Sequence, residues 1–175
     1  YTGAAPNQQA IPATDYFLDE LGVEKFALLG TDYVYPRTTN KILNTYLLDK
    51  GINASDIFVN YTPFGHSDWS KIVSDVVALG ADGKKVGVIS TINGDANIGF
   101  YKELAAADIS ADDIPVVAFS VGEEELSGLD TTNLVGHLAA WNYFQSAESD
   151  ANEEFVKEWK AAMGDNRVTN DPMEA

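Results

Sequence analysis

A chain of 175 residues with 45% hydrophobic content is long enough to bury one sizeable core and too short for two full domains. Its 11 Lys and Arg stand against 27 Asp and Glu, and the formal charge of -16 repels phosphate backbones and anionic headgroups, which argues against nucleic acid and membrane surfaces as partners. Without cysteine there is no disulfide and no thiolate metal site, so the redox compartment stays open.

In chain order, a loop-like opening leads to a helix, with Ala10, Ala13, Phe17 and Leu21 at helical spacing up to Gly22. Phe26 to Leu29 reads as a short apolar strand. Pro36 then opens a helix with Ile42, Leu43, Tyr46 and Leu47 on one face, stopped at Gly51. A second strand covers Ile57 to Tyr61. The helix after it starts at Ser67, carries Ile72, Val73, Val76 and Val77 inward, and ends at Gly80. Val86 to Ile89 is the third strand, and Asn93-Gly94-Asp95 leads into a helix with Ile98, Tyr101 and Leu104. Pro115 to Phe119 is the fourth strand, followed by a short acidic helix and a less regular extended stretch, NLVGHLAAWNYF. The last helix uses Ala151, Phe155, Trp159 and Met163 before Gly164.

Strands that alternate with helices of this length imply right-handed crossovers and a mostly parallel sheet covered on both faces. The fold expected is a three-layer αβα domain, flavodoxin-like or Rossmann-like, over residues 1–175. No apolar run approaches the ~20 residues needed to span a bilayer, and no basic and apolar leader opens the sequence. The ends look cut, since Tyr1 is no initiator methionine and NDPMEA stops in what reads as a first helical turn at Pro172. The sequence is read as an excised domain.

Ligands of open parallel sheets bind outside the carboxyl ends of the strands. The segments there are GTDYVYPR, TPFGHSD, STINGDAN and SVGEEEL. Asp32, Asp95 and Glu123-Glu124-Glu125 make this edge acidic, whereas a phosphate site needs glycine-rich turns with bare amides, and neither GxGxxG nor GxxxxGK[ST] occurs. No GxSxG elbow is present. His66 and His137 lack the HExxH spacing of a zinc site and read as ordinary hydrogen-bonding residues. Tyrosines, amides and carboxylates suit a small ligand rich in N–H donors, held without catalysis and without a cofactor.

Taken in order, GTDYVYPRTTN, PFGHSDW, STINGDANIGFYKEL, IPVVAFSVGEEEL, GHLAAWNYFQS and RVTNDPMEA resemble the substrate-binding proteins of bacterial urea and short-chain amide ABC transporters. These belong to the type I periplasmic-binding-protein superfamily, with the branched-chain amino-acid receptors and a cytoplasmic amide sensor. The resemblance implies the second of two lobes that close on a ligand. By it, Tyr33 and Tyr35 face the interlobe cleft with Pro36 behind them, Asn93, Gly94 and Asp95 line it, and Ser120 and Glu123 lie where amino-acid-binding relatives hold an ammonium group. It implies an extracytoplasmic receptor, a small neutral amide as ligand and an ABC permease as partner. A cytoplasmic amide-sensing regulator is the alternative on the same fold, and a hydrolase or transferase using the carboxylates is the third reading.

The residues themselves leave simpler roles open. Ser120 and Glu123 fit an S-x-x-E capping box, Asp95 fits a helix cap, and either tyrosine fits packing on a neighbouring helix. Trp141, Tyr143 and Phe144 read as core or hinge packing.

Overall fold

The computed structural model describes residues 5–126 and 130–164. The turn expected at Pro172 lies outside them. Helix α1 (Ala10–Asp19) precedes strand β1 (Lys25–Thr31), and α2 (Val34–Asp49) leads to β2 (Ile57–Thr62). Then come α3 (Ser70–Leu79), β3 (Val86–Thr91), α4 (Ala96–Ala106), β4 (Val116–Ala118), the single turn α5 (Glu123–Leu126), β5 (Leu138–Ala139) and α6 (Asp150–Met163). The five strands pair in parallel in the order β2-β1-β3-β4-β5. The α/β sandwich expected from the sequence is the fold.

Successive residues of a strand face opposite sides of the sheet, and β1 shows how both sides are filled. Phe26 and Leu28 join Ala10, Phe17, Leu43 and Leu47 under α1 and α2. Ala27 and Leu29 join Trp69, Val73, Val76, Phe100 and Leu104 under α3 and α4. Every residue of β1 and of β3 is buried, as the two-sided covering of a central parallel strand requires. At the amino end of β1 the nearly buried Lys25 is held by the Leu79 carbonyl at 2.8 Å, Asp82 at 2.9 Å and Asp56 at 3.6 Å.

Several helix details differ from the sequence reading. Helix α2 begins two residues before Pro36, which takes the third helical position, where an N–H would have no intrahelical partner. Its buried stripe is Pro36, Thr39, Asn40, Leu43 and Leu47, so Ile42 is displaced to the surface. Helix α3 begins at Ser70 and not at Ser67, because residues 63–69 first carry Trp69 down into the core. Val77 and Ile98 also face outward. Strand β4 is shorter than expected, and α6 buries no residue fully even though Phe155 and Trp159 stack on its inner side at 6.2 Å.

Candidate functional site

Strand β1 is followed by its neighbour on one side, β2, and the chain then returns to the other side for β3. The strand order therefore reverses at the β1/β3 pair, and it is beyond the carboxyl ends at such a reversal that open α/β sheets bind ligands. Hydrogen bonds hold the three ends together. The Asn93 N–H donates to Thr31 Oγ1 at 2.9 Å, the Asp32 N–H to the Thr62 carbonyl at 2.7 Å, and the Asn93 side-chain amide to the Thr91 carbonyl at 2.9 Å. Gly30 lets the strands and α2 close up. A Cβ there would stand 2.5 Å from Thr91 Oγ1 and 2.7 Å from Pro36 Cβ, so only glycine fits.

Tyr33 is the extended residue before α2, and its ring lies 5.0 Å from Phe64 and 6.1 Å from Tyr35. Phe64, on the loop after β2, is 63% exposed. Tyr35 lies near Ser120 across the edge, and burial raises the pKa of its phenol above the ordinary tyrosine value. Burial raises that of Tyr33 as well. These hydroxyls are neutral donors at physiological pH.

Asp32 is the acid next to the rings, and it is taken up by Arg37 at 2.5 Å. That bond holds its carboxyl below the usual carboxylate range. The Arg37 guanidinium in turn lies 4.6 Å above the Tyr61 ring. Arg37 is the only Lys or Arg in the four strand-end segments, and this pairing leaves those segments without a free cation.

Of the residues singled out in the sequence, the structure brings Tyr33, Tyr35, Asn93 and Ser120 to one edge. Gly94 and Asp95 form the exposed turn after Asn93, with Gly94 at φ +64. Asp95 stands at the cap position of α4 with no side-chain cap bond, so its carboxylate is not used by the helix. Pro36 is buried behind the tyrosines and faces Gly30. Glu123 does not close a capping box with Ser120. Its two oxygens accept from the Gln145 and Ser146 backbone N–H groups, tying α5 to the segment after β5. The Gly122 N–H bonds Glu125 instead, at 2.8 Å. Phe64 stands beside Tyr33 at this edge, yet nothing in TPFGHSD singles it out in the sequence, because loop aromatics carry no periodicity.

His66 is engaged locally, its Nε2 2.7 Å from the Asp68 carbonyl and its ring edge-on to Trp69, and His137 Nδ1 accepts from the Val116 N–H at 3.1 Å. No group of three or more His, Asp or Glu suited to a metal ion occurs among the described residues. No helix among them is long and apolar enough to cross a membrane.

All of residues 1–175 match the sequence profile of the periplasmic binding protein domain. The chain belongs to that family. Among solved structures, this periplasmic-binding-protein domain is similar to a solute-binding protein of an ABC transporter from R. palustris in complex with 4-hydroxybenzoate. The identity is 18% and the TM-score 0.78, over 94% of this chain and 43% of that one. A leucine-binding protein from Thermotoga maritima matches at 12% identity and TM-score 0.75, over 97% and 46%. An amino acid ABC transporter substrate-binding protein from Pseudomonas fluorescens matches at 16% and 0.73, over 95% and 42%. The domain thus spans less than half the length of the structures it matches.

Proposed function

We propose that this domain is one wall of a cleft in an extracytoplasmic solute receptor, that the cleft closes on urea or a related short-chain amide, and that the closed form delivers it to an ABC permease. The observation that carries the reading is the chemistry of the strand-end edge. It offers aromatic faces at Tyr33, Tyr35 and Phe64 and polar side chains at Asn93, Asp95 and Ser120, while the one cation of its four strand-end segments, Arg37, is paired with Asp32. A neutral molecule with several N–H donors is matched by acceptors here, and an anion is not. Tyrosine faces cover a planar group without demanding charge. Pro36 serves by position, and Glu123 by holding α5 in place at the rim. Closure of two lobes supplies the enclosure that a ligand of few atoms needs, since its affinity is capped at about 1.5 kcal/mol per non-hydrogen atom.

Calorimetric titration of the complete receptor with urea, acetamide, leucine and 4-hydroxybenzoate tests this. Heat with a neutral amide is expected, weakened at least tenfold by Tyr35→Ala or Asp95→Ala with the fold retained. Binding of only the two acids would overturn the amide reading. Unchanged affinity in both variants would show that the edge is structural.

A further inference from the structure

Asn93-Gly94 is the single Asn-Gly pair in the sequence, and it stands where β3 hands over to α4, with Gly94 in the exposed turn. Asparagine before glycine is the pair in which a backbone nitrogen most readily attacks the preceding side-chain amide, because glycine has no Cβ to crowd the approach. The fold leaves that attack open. The Gly94 N–H has no hydrogen bond among the described residues, and nothing lies within 4 Å of the position a Cβ would take. The half-buried Asn93 side chain is held by one bond, from its amide to the Thr91 carbonyl at 2.9 Å.

A second pair of related chemistry shows the protected arrangement. At Asp82-Gly83 the Gly83 N–H donates to the Gly80 carbonyl at 2.9 Å, and the Asp82 carboxylate accepts from Lys25 at 2.9 Å and from the Lys84 N–H at 3.3 Å. Both reacting groups are engaged there. At Asn93-Gly94 the nitrogen is free and only the amide is held.

We propose that Asn93 is a self-modification site, converted to aspartate and isoaspartate in the folded domain by attack of the Gly94 nitrogen. That nitrogen, its proton lost to hydroxide, bonds to Asn93 Cγ. The bond from Cγ to the side-chain nitrogen breaks, and ammonia leaves with a proton taken from water. One water then opens the succinimide: addition at Cγ gives aspartate, and addition at the Asn93 main-chain carbonyl gives isoaspartate, in which the chain runs through the former side-chain carbon. Water enters and ammonia leaves, with nothing oxidised or reduced. Either product adds a negative charge, and neither can donate to the Thr91 carbonyl as the amide does, so the turn carrying Gly94 and Asp95 loses its side-chain tether to β3. The consequence for amide binding rests on the function proposed above, and the modification itself does not.

Peptide mapping by mass spectrometry tests this on the 175-residue chain kept in warm, mildly alkaline buffer. Aspartate and isoaspartate are expected to accumulate at position 93, faster as pH rises, at a rate within tenfold of that in the chain unfolded by guanidinium chloride. Position 82 is expected to stay free of isoaspartate while the chain is folded. These readouts come from the wild-type chain and need no variant to fold. Gly94→Ala, which sets a side chain beside the attacking nitrogen, is expected to slow conversion at least tenfold. A folded rate at position 93 more than tenfold below the unfolded one, isoaspartate in equal measure at position 82, or an unchanged rate in Gly94→Ala would each overturn the proposal. Calorimetry of the converted complete receptor with urea separates the two readings: weaker binding is expected, and unchanged binding after full conversion would leave the modification standing and remove Asn93 from the amide site.

Discussion

Two glycines at the strand-end edge illustrate different demands on one residue type. Gly30 is required by space, since any side chain would enter Thr91 and the buried Pro36. Gly94 has nothing within 4 Å of a Cβ, but its φ of +64 is a conformation that L side chains rarely adopt. Gly30→Ala is expected to destabilise the domain by about 1–3 kcal/mol through overpacking. Gly94→Ala should cost only about 1 kcal/mol, from backbone strain alone. Urea unfolding midpoints of the two variants check the order, and an equal or reversed pair would show that the β1/α2 approach relaxes freely. The same edge shows what single residues reveal in a sequence. Tyr33, Tyr35 and Asn93 were legible as edge residues because they follow strands directly. The pairing of Asp32 with Arg37 and of Glu123 with Gln145 and Ser146 was not, because each depends on side-chain geometry that spacing does not encode.

At the scale of elements, α6 differs from the other long helices. It has a well-formed start, with Ser149 Oγ accepting from the Asn152 N–H at 3.2 Å, and Asn152 binds the carbonyls of Gln145 and Ala147, each at 2.8 Å. Tyr143 adds a bond to Asn152 and an edge-on contact with Phe155. Yet α6 has no fully buried residue, whereas α1 to α4 each bury at least three. Helices draw most of their stability from a buried apolar face, so α6 should open well before the sheet does. Hydrogen exchange is expected to show its amides exchanging faster than those of β1 and β3, and Ser149→Ala should speed them further without moving the β1 amides. Equal protection of α6 and β1 would contradict this. The apolar spacing of Ala151, Phe155, Trp159 and Met163 correctly announced a helix, but periodicity records only which face is apolar and says nothing about what covers it. The inward face of α2 follows the apolar spacing at Leu43 and Leu47 but not at Ile42, for the converse reason. Thr39 and Asn40 occupy its buried stripe, where Thr91 Oγ1 lies 3.2 Å from Asn40 Oδ1, and a polar residue buried to serve a neighbouring strand looks in the sequence like a surface residue.

For the whole molecule, two core layers on one continuous sheet form a unit that should melt in a single cooperative transition, which circular dichroism will show. Acid should weaken it in a defined window. Hydrogen bonds from Tyr46, Arg37, Asn53 and Lys25 chiefly hold Asp15, Asp32, Asp56 and Asp82 below their ordinary values. A carboxylate with a lowered folded pKa contributes stability that is present above its unfolded value, about 3.9, and is lost as pH falls through the folded value. The melting temperature is therefore expected to be flat near neutrality and to fall below about pH 4. At the alkaline end the raised values of Lys25 and Lys50 have the opposite sign: their contribution is complete below about pH 10.4 and disappears as pH rises through the folded values. A melting temperature that rose on acidification would contradict the first part. The sheet's two rims, finally, are unequal. β5 gives an outside chain only two residues to pair with, while β2 presents six, Ile57–Thr62, without a charged side chain among them. A long uncharged rim is a template for adding foreign strands, so losses on storage at high concentration should begin along β2. Val59→Lys, at a position already 39% exposed, is expected to slow the growth of light scattering on prolonged warm incubation while leaving the melting temperature within a few degrees of the parent.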